Sequence, residues 1–87
     1  MNFSKALELL KQGQKIARTG WNGKDMFLYL VYGSQFEVNR KPLNEVYPEG
    51  TVVTYRPHID MKTADGDHVP WVASQSDLLA SDWYVVE

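Results

Sequence analysis

Ile59-Asp-Met-Lys-Thr63, Ala64-Asp-Gly-Asp67 and His68-Val-Pro-Trp-Val-Ala73 follow one another without a break, and how they are read decides the fold. An Asp-Gly pair between two strand candidates is a strong short-range signal for a β-hairpin. Pro70 has no N–H to give a ladder, so the second arm is an edge strand or is irregular there. On the C-terminal side, Ser74-Gln-Ser-Asp77 opens a short helix. Ser74 is placed to cap it, and Asp77, three residues on, resembles the acidic member of a capping box. Leu78, Leu79 and Ala80 are expected to turn inward, and Trp83 to Val86 to form the last strand.

Toward the N-terminus, Thr51 to Arg56 is β-branched and aromatic, hence a strand ended by Pro57. Arg40 to Gly50 holds Pro42, Pro48 and Gly50 without a period and reads as a loop. Phe36 to Val38 is a short strand candidate, and Met26 to Tyr32 a buried central strand. Gly20-Trp21-Asn22-Gly23-Lys24 is a tight loop, with two glycines bracketing a Trp-Asn pair. Lys15 to Arg18 alternates polar and apolar as an edge strand does. Phe3, Ala6, Leu7 and Leu10 recur at i, i+3, i+4 and i+7, one face of a helix. Asn2 or Ser4 can cap that helix and Gly13 can end it, with Phe3, Leu7 and Leu10 expected in the core. The order predicts an α+β fold. It is a small single domain over 1–87, with an N-terminal helix packed on a mainly antiparallel sheet and a short second helix near the C-terminus.

With 87 residues, this chain is small enough that its own core leaves it only marginally stable. It has no cysteine, so disulfides and thiolate metal sites are excluded, and two histidines are too few for a structural zinc cage. Oligomerisation is the remaining route to extra stability. A net charge of −2 argues against a nucleic-acid partner read over a basic face. The longest apolar run, Met26 to Val31, is far short of a membrane span. No signal-peptide pattern opens the chain, so a soluble protein of the cytoplasm is expected.

The enzyme readings are thin. A catalytic site needs a nucleophile, a base and a group to orient the base. Ser74 and Ser76 lie near Asp77, but no Gly-x-Ser-x-Gly turn is present and Ser74 is better explained as a cap. His58 and His68 sit on opposite arms of the hairpin and could meet in space, although a strand histidine is more often a packing residue. Asp65 and Asp67 beside Gly66 are turn chemistry, without the other ligands of a calcium loop. No catalytic residue, metal site or cofactor is expected.

Binding fits better. Trp21 is held in a loop and Trp71 follows Pro70 at the hairpin end; either could plug a sheet edge or a subunit interface. Arg18, Lys24 and Lys62 offer cations, and Asn22, Ser74, Gln75 and Asp77 offer directional hydrogen bonds. Aromatic walls with a few converging polar groups are how small-molecule sites are built. Rings, cations and carboxylates together suit a nucleotide. A protein-interaction module that docks on a host protein through its aromatic residues fits the composition almost as well.

Two blocks carry a sharper resemblance. The first is Met1-Asn-Phe-Ser-Lys-Ala-Leu-Glu-Leu-Leu-Lys11 with Ile16-Ala-Arg-Thr-Gly-Trp-Asn-Gly-Lys24. The second is His58-Ile-Asp-Met-Lys-Thr-Ala-Asp-Gly66 with Val69-Pro-Trp-Val-Ala-Ser-Gln-Ser-Asp-Leu-Leu-Ala-Ser-Asp-Trp83. Together they resemble the Thoeris anti-defence proteins of the second type, small phage proteins. The resemblance implies a non-enzymatic sponge that binds glycocyclic ADP-ribose, an immune signal, and holds it intact in the host bacterial cytoplasm so that the Thoeris effector stays inactive. It also implies a homotetramer with pockets between subunits and, in some relatives, cyclic dinucleotides as an alternative ligand. The Gly-Trp-Asn-Gly match makes Trp21 the stacking residue and Asn22 a hydrogen-bonding one; the Pro-Trp match makes Trp71 a second aromatic wall. Ser74 and Asp77 fall in the matched helix start. Lys24 and Lys62 are added from their chemistry, for the pyrophosphate. Tyr32 to Arg56 departs from the shortest family members.

Overall fold

The computed structural model describes residues 1–87. Helix α1 (Phe3–Lys11) starts at Asn2, whose side chain accepts from the Lys5 N–H. Satisfying one of the free amide donors of the first turn in this way stabilises a helix by about 1 kcal/mol. At the other end Gly13 adopts φ +96°, and the Gly13 and Gln14 N–H groups return to the Leu10 and Leu9 carbonyls. A side chain at that φ would be strained, so the glycine ends the helix. Ala6 and Leu10 are wholly buried beneath α1, while Phe3 and Leu7 are half-buried and pack against the same core.

The strands are β1 (Lys15–Arg18), β2 (Phe27–Val31), β3 (Ser34–Glu37), β4 (Val52–Tyr55), β5 (His58–Lys62), β6 (His68–Pro70) and β7 (Trp83–Val86). Five of them form one antiparallel sheet in the order β6-β5-β2-β1-β7. The expected hairpin is β5–β6, with Gly66 at φ +94° in its turn and Pro70 on the outer strand, where no ladder donor is needed. β1 is not an edge strand as its alternation suggested. β7 docks outside it, from Lys15↔Val86 to Arg18↔Trp83. β2 follows next in sequence, but β7 arrives from the far end of the chain, so the strand's own pattern could not place it.

Successive side chains of a strand point to opposite faces. On the face under α1 stand Ile16, Leu28 and Trp83, fully buried with Ala6 and Leu10, and Leu30, Ile59, Met61 and Trp71 around them. The other face carries Phe27, Tyr29, His58, Asp60, Lys62 and His68 and has no second layer. This explains why, in the central β2, only Leu28 is fully buried and Tyr32 beyond it is exposed. His58 and His68 do not meet. His68 lies opposite Lys62 and bonds the Tyr29 hydroxyl at 2.7 Å, whereas His58 sits at the far end of β5.

β3 and β4 leave the main sheet and pair only with each other, from Ser34↔Tyr55 to Glu37↔Val52. The loop between them contains a 3₁₀ turn (Leu43–Glu45) after a cis Lys41–Pro42 bond. This arm gives the molecule its 46 × 26 × 25 Å shape. The radius of gyration is 15.9 Å, against about 12 Å for a compact chain of this length.

Helix α2 (Gln75–Leu79) has the expected capping box. Ser74 Oγ accepts from the Asp77 N–H at 3.0 Å, and the Asp77 carboxylate accepts from the Ser74 N–H at 3.1 Å. Leu78 and Leu79 do not turn inward; they are 42% and 81% exposed. The box fixes the helix rotation with Asp77 inside, and the next two positions, about 100° and 200° further round, must then face out.

Candidate functional site

Trp83 is the centre of an aromatic cluster. Trp21 meets it nearly edge to face, centroids 5.4 Å apart and planes at 81°. Trp71 does the same from another side, at 6.2 Å and 88°, and Phe3 closes the group at 5.2 Å. The Trp83 indole N–H donates to the Asp77 carbonyl at 3.0 Å, so this fully buried ring leaves no polar atom unpaired. Trp21 and Trp71 are half-buried: each is both part of the core and part of the surface.

A network of charges sets the orientation of Trp21. Asp77 Oδ1 accepts from the Trp21 indole N–H at 3.2 Å and from Arg18 Nη1 at 2.8 Å. Arg18 Nε donates to Asp82 Oδ1 at 2.9 Å, and Asp82 Oδ2 accepts from the Gly20 N–H at 2.8 Å. The Trp21 N–H closes onto the Arg18 carbonyl and the Thr19 N–H onto the Asp82 carbonyl. The loop backbone is therefore held by Asp82 and the ring by Asp77, and one guanidinium joins the two carboxylates. Planar forks of this kind are what arginine supplies and lysine does not.

The electrostatics follow from this geometry. Burial is the largest single influence on Asp77 and would raise its pKa. The hydrogen bonds from Arg18, Ser74 and Trp21 together outweigh it and hold the carboxyl below the ordinary range. The Arg18 bond holds Asp82 low as well, against partial desolvation. The hydrogen bonds that Arg18 donates to Asp82 and then to Asp77 raise its pKa, so all three groups are charged at neutral pH. The trio has one positive and two negative charges.

Of the residues singled out from sequence, the fold brings Trp21, Asp77 and Ser74 into one connected unit and places Trp71 beside it through Trp83. Both Asp77 oxygens are occupied by protein donors, and the Ser74 hydroxyl serves the cap. Asn22 and Lys24 are exposed in the Trp21 loop. Lys62 is apart from them. It stands on the uncovered face, donates to the Asp25 carbonyl at 2.8 Å and lies 5.5 Å from the centre of the Phe27 ring, which Lys15 approaches at 4.8 Å.

Sequence reading passed over Arg18 as one cation among three and did not single out Asp82 or Trp83. A signal was available: Arg18 falls two residues after Ile16, on an inward position of its strand, and an inward arginine requires carboxylates. The concave surfaces of the chain lie elsewhere. A groove of about 660 Å³ runs along the arm between Phe36, Tyr55, Arg40 and Leu43, and a smaller one of about 430 Å³ lies beside Tyr47.

A family model described as a Thoeris anti-defense 2-like domain matches residues 1–86. The chain is similar to the protein named Thoeris anti-defense 2 of Bacillus phage SP01, with 42% identity over 90 residues, covering 99% of this chain and 94% of the relative. The match runs through both segments that Arg18 joins, and at this identity and coverage the chain belongs to the Thoeris anti-defense 2 family.

Proposed function

We propose that this chain, a member of a phage anti-defence family, binds a cyclic ADP-ribose signal, glycocyclic ADP-ribose, and sequesters it without cleaving it. The observation that carries this reading is the immobilised Trp21, a half-buried ring whose edge is hydrogen-bonded and whose loop is tied at both ends. A pre-oriented aromatic wall loses little freedom on binding, and pre-organisation is what a high-affinity site needs. Trp21 stacks the base and Asn22 bonds the ligand beside it. Trp71 is the second wall. Lys24, in the same loop, meets the pyrophosphate, and Lys62 would serve only a ligand that reaches round the sheet to Phe27. Ser74 and Asp77 act by holding the wall in place. A sponge must outcompete a sensitive receptor, so a Kd of about 10 nM, or about −11 kcal/mol, is the relevant target. One stacked base at about 1–3 kcal/mol plus several charge-assisted hydrogen bonds at about 1.5–3 kcal/mol each reaches it, before ordering costs.

The reading also takes the protein to be a homotetramer in the host cytoplasm, with pockets completed between subunits. Supporting this, the chain exposes 6273 Å², against about 5,200 Å² for a compact monomer of its mass. Near the aromatic cluster, Val72 and Leu79 are 88% and 81% exposed, and a second copy would cover them. A non-catalytic role is supported by the engagement of Ser74 as a cap and by the separation of the two histidines. Sequestration of cyclic dinucleotides, or docking on a host protein, is the second reading, favoured by the aromatic groove of the arm.

Titration calorimetry with glycocyclic ADP-ribose, followed by heat denaturation and chromatography of the released ligand, tests the proposal. Tight binding with intact release is expected, together with a tetramer by light scattering. Recovery of a cleaved product would sink the sponge reading. An absence of binding would move the weight to cyclic dinucleotides or a protein partner.

A further inference from the structure

The Arg18 guanidinium is only partly spent on the protein. Nε goes to Asp82 and Nη1 to Asp77, and Nη2 has no protein acceptor. Nη2 is not sealed in either, since the one buried side-chain atom without a partner is Asp60 Oδ1. Two carboxylates thus fix the plane of the guanidinium, and Nη2 stays accessible next to Gly20, while Nη1 shares Asp77 Oδ1 with the Trp21 indole N–H.

Gly20 keeps that edge open. A Cβ there would lie 3.5 Å from Nη2 and 2.8 Å from Asp82 Oδ2. The backbone of Gly20 is not in the left-handed region, so space rather than φ requires the glycine. A side chain at this position would push against the Asp82 carboxylate and cover the donor.

The charge balance limits what the edge can bind. Arg18 with Asp77 and Asp82 carries a net charge of −1. A phosphate placed at Nη2 would meet the field of two carboxylates at close range. A neutral acceptor meets the N–H dipoles without that repulsion. The surrounding carboxylates also prevent the arginine from rotating to follow a mobile phosphate.

We propose that Arg18 is a ligand-recognition residue, whose free Nη2 edge donates to a ring-nitrogen acceptor on the base stacked against Trp21. This rests on the reading of Trp21 as the stacking wall and adds how the base is told from other flat rings. Arg18, Gly20 and Asp82 together form the reading head, and the phosphates are met by other cations.

The test compares glycocyclic ADP-ribose with three analogues in which adenine N1, N3 or N7 is replaced by carbon, on wild type and on Arg18→Lys. In wild type one of the three is expected to bind about 10- to 100-fold more weakly than the parent, the worth of a charge-assisted hydrogen bond. In Arg18→Lys that discrimination is lost, because the parent weakens to the level of the analogue. The wild-type discrimination should persist between about 0.05 and 0.5 M salt, where a charge–charge contact at the surface would be screened. Equal binding of all three analogues by wild type overturns the proposal without any variant. So does undiminished discrimination in Arg18→Lys, or discrimination that fades with salt. Failure of wild type to bind even the parent overturns both this proposal and the sponge reading, which distinguishes it from the other outcomes.

Discussion

The Trp83 cluster and the β3–β4 arm are built on opposite principles. Around Trp83, three indoles, a phenylalanine ring and an arginine with two aspartates satisfy one another within the chain. Along the arm, Val38 is the one residue fully buried, and Phe36, Val46, Tyr47, Val52 and Tyr55 are exposed. A two-stranded hairpin alone is marginal in water. The first region is held together by its own hydrogen bonds and ring contacts. The second carries an apolar surface that needs something to cover it. Internal rigidity and exposed apolar surface are thus concentrated in different parts of the chain.

The sharpest way to break this contrast is Trp83→Ala. Truncating a fully buried aromatic costs about 3–5 kcal/mol, most of the stability of a domain this size. Loss of the cooperative thermal transition by circular dichroism is expected. A transition that moves by only a few degrees would mean that the cluster is not the core.

Asp77→Asn comes next. It keeps the shape and the Ser74 side-chain cap but removes the charge, leaving one amide oxygen for the three donors that the carboxylate serves. A cost of about 2 kcal/mol is expected in urea unfolding. The Trp21 indole N–H resonance should also shift upfield in nitrogen-15 correlation spectra. An unmoved resonance would show that the ring is oriented by packing alone.

The same network makes a pH prediction. Asp77 and Asp82 titrate below the ordinary value of 3.8 in the folded protein. The unfolded chain therefore takes up protons first, and stability falls with falling pH. The contribution of the two carboxylates is complete above about pH 5 and is lost as the pH drops through the ordinary value of 3.8 and then through their lower folded values. Urea midpoints measured from pH 6 down to pH 2.5 should fall, and Asp77→Asn should flatten the lower part of the curve. A profile identical in the two proteins would remove the network as its cause.

The smallest effect is expected on the arm. Phe36→Ser with Tyr55→Ser removes two exposed rings that meet edge to face, 5.4 Å apart. Exposed substitutions of this kind change the stability of a folded chain by about 0.5 kcal/mol or less. The indole resonances of the cluster should stay where they are. Amide exchange in the arm should be faster than in β2 before any mutation, and faster still after it. A large loss of stability in the double variant would mean that arm and body form one cooperative unit, erasing the contrast.

How much of this could be read from the chain depends on the range of the interactions. Periodicity and capping chemistry act over a few residues. Asn2, Gly13, Asp65-Gly66, Ser74 and Asp77 therefore placed α1, the β5–β6 hairpin and the start of α2 without any tertiary information. The same residues imply the α+β class, and Trp21 stood out because two glycines isolate it. Tertiary structure alone decided the rest. Arg18 finds Asp77 and Asp82 across 59 and 64 residues, a choice no local pattern encodes. β1 became an inner strand because β7 returned to its free edge. Leu78 and Leu79 faced outward because the capping box, tied through Asp77 to Arg18, Trp21 and Trp83, had already fixed the rotation of α2. Local signals specify which element forms. Where an element sits, and which of its polar groups are spent on the fold or left for a ligand, is settled when distant charges and rings meet and desolvate one another.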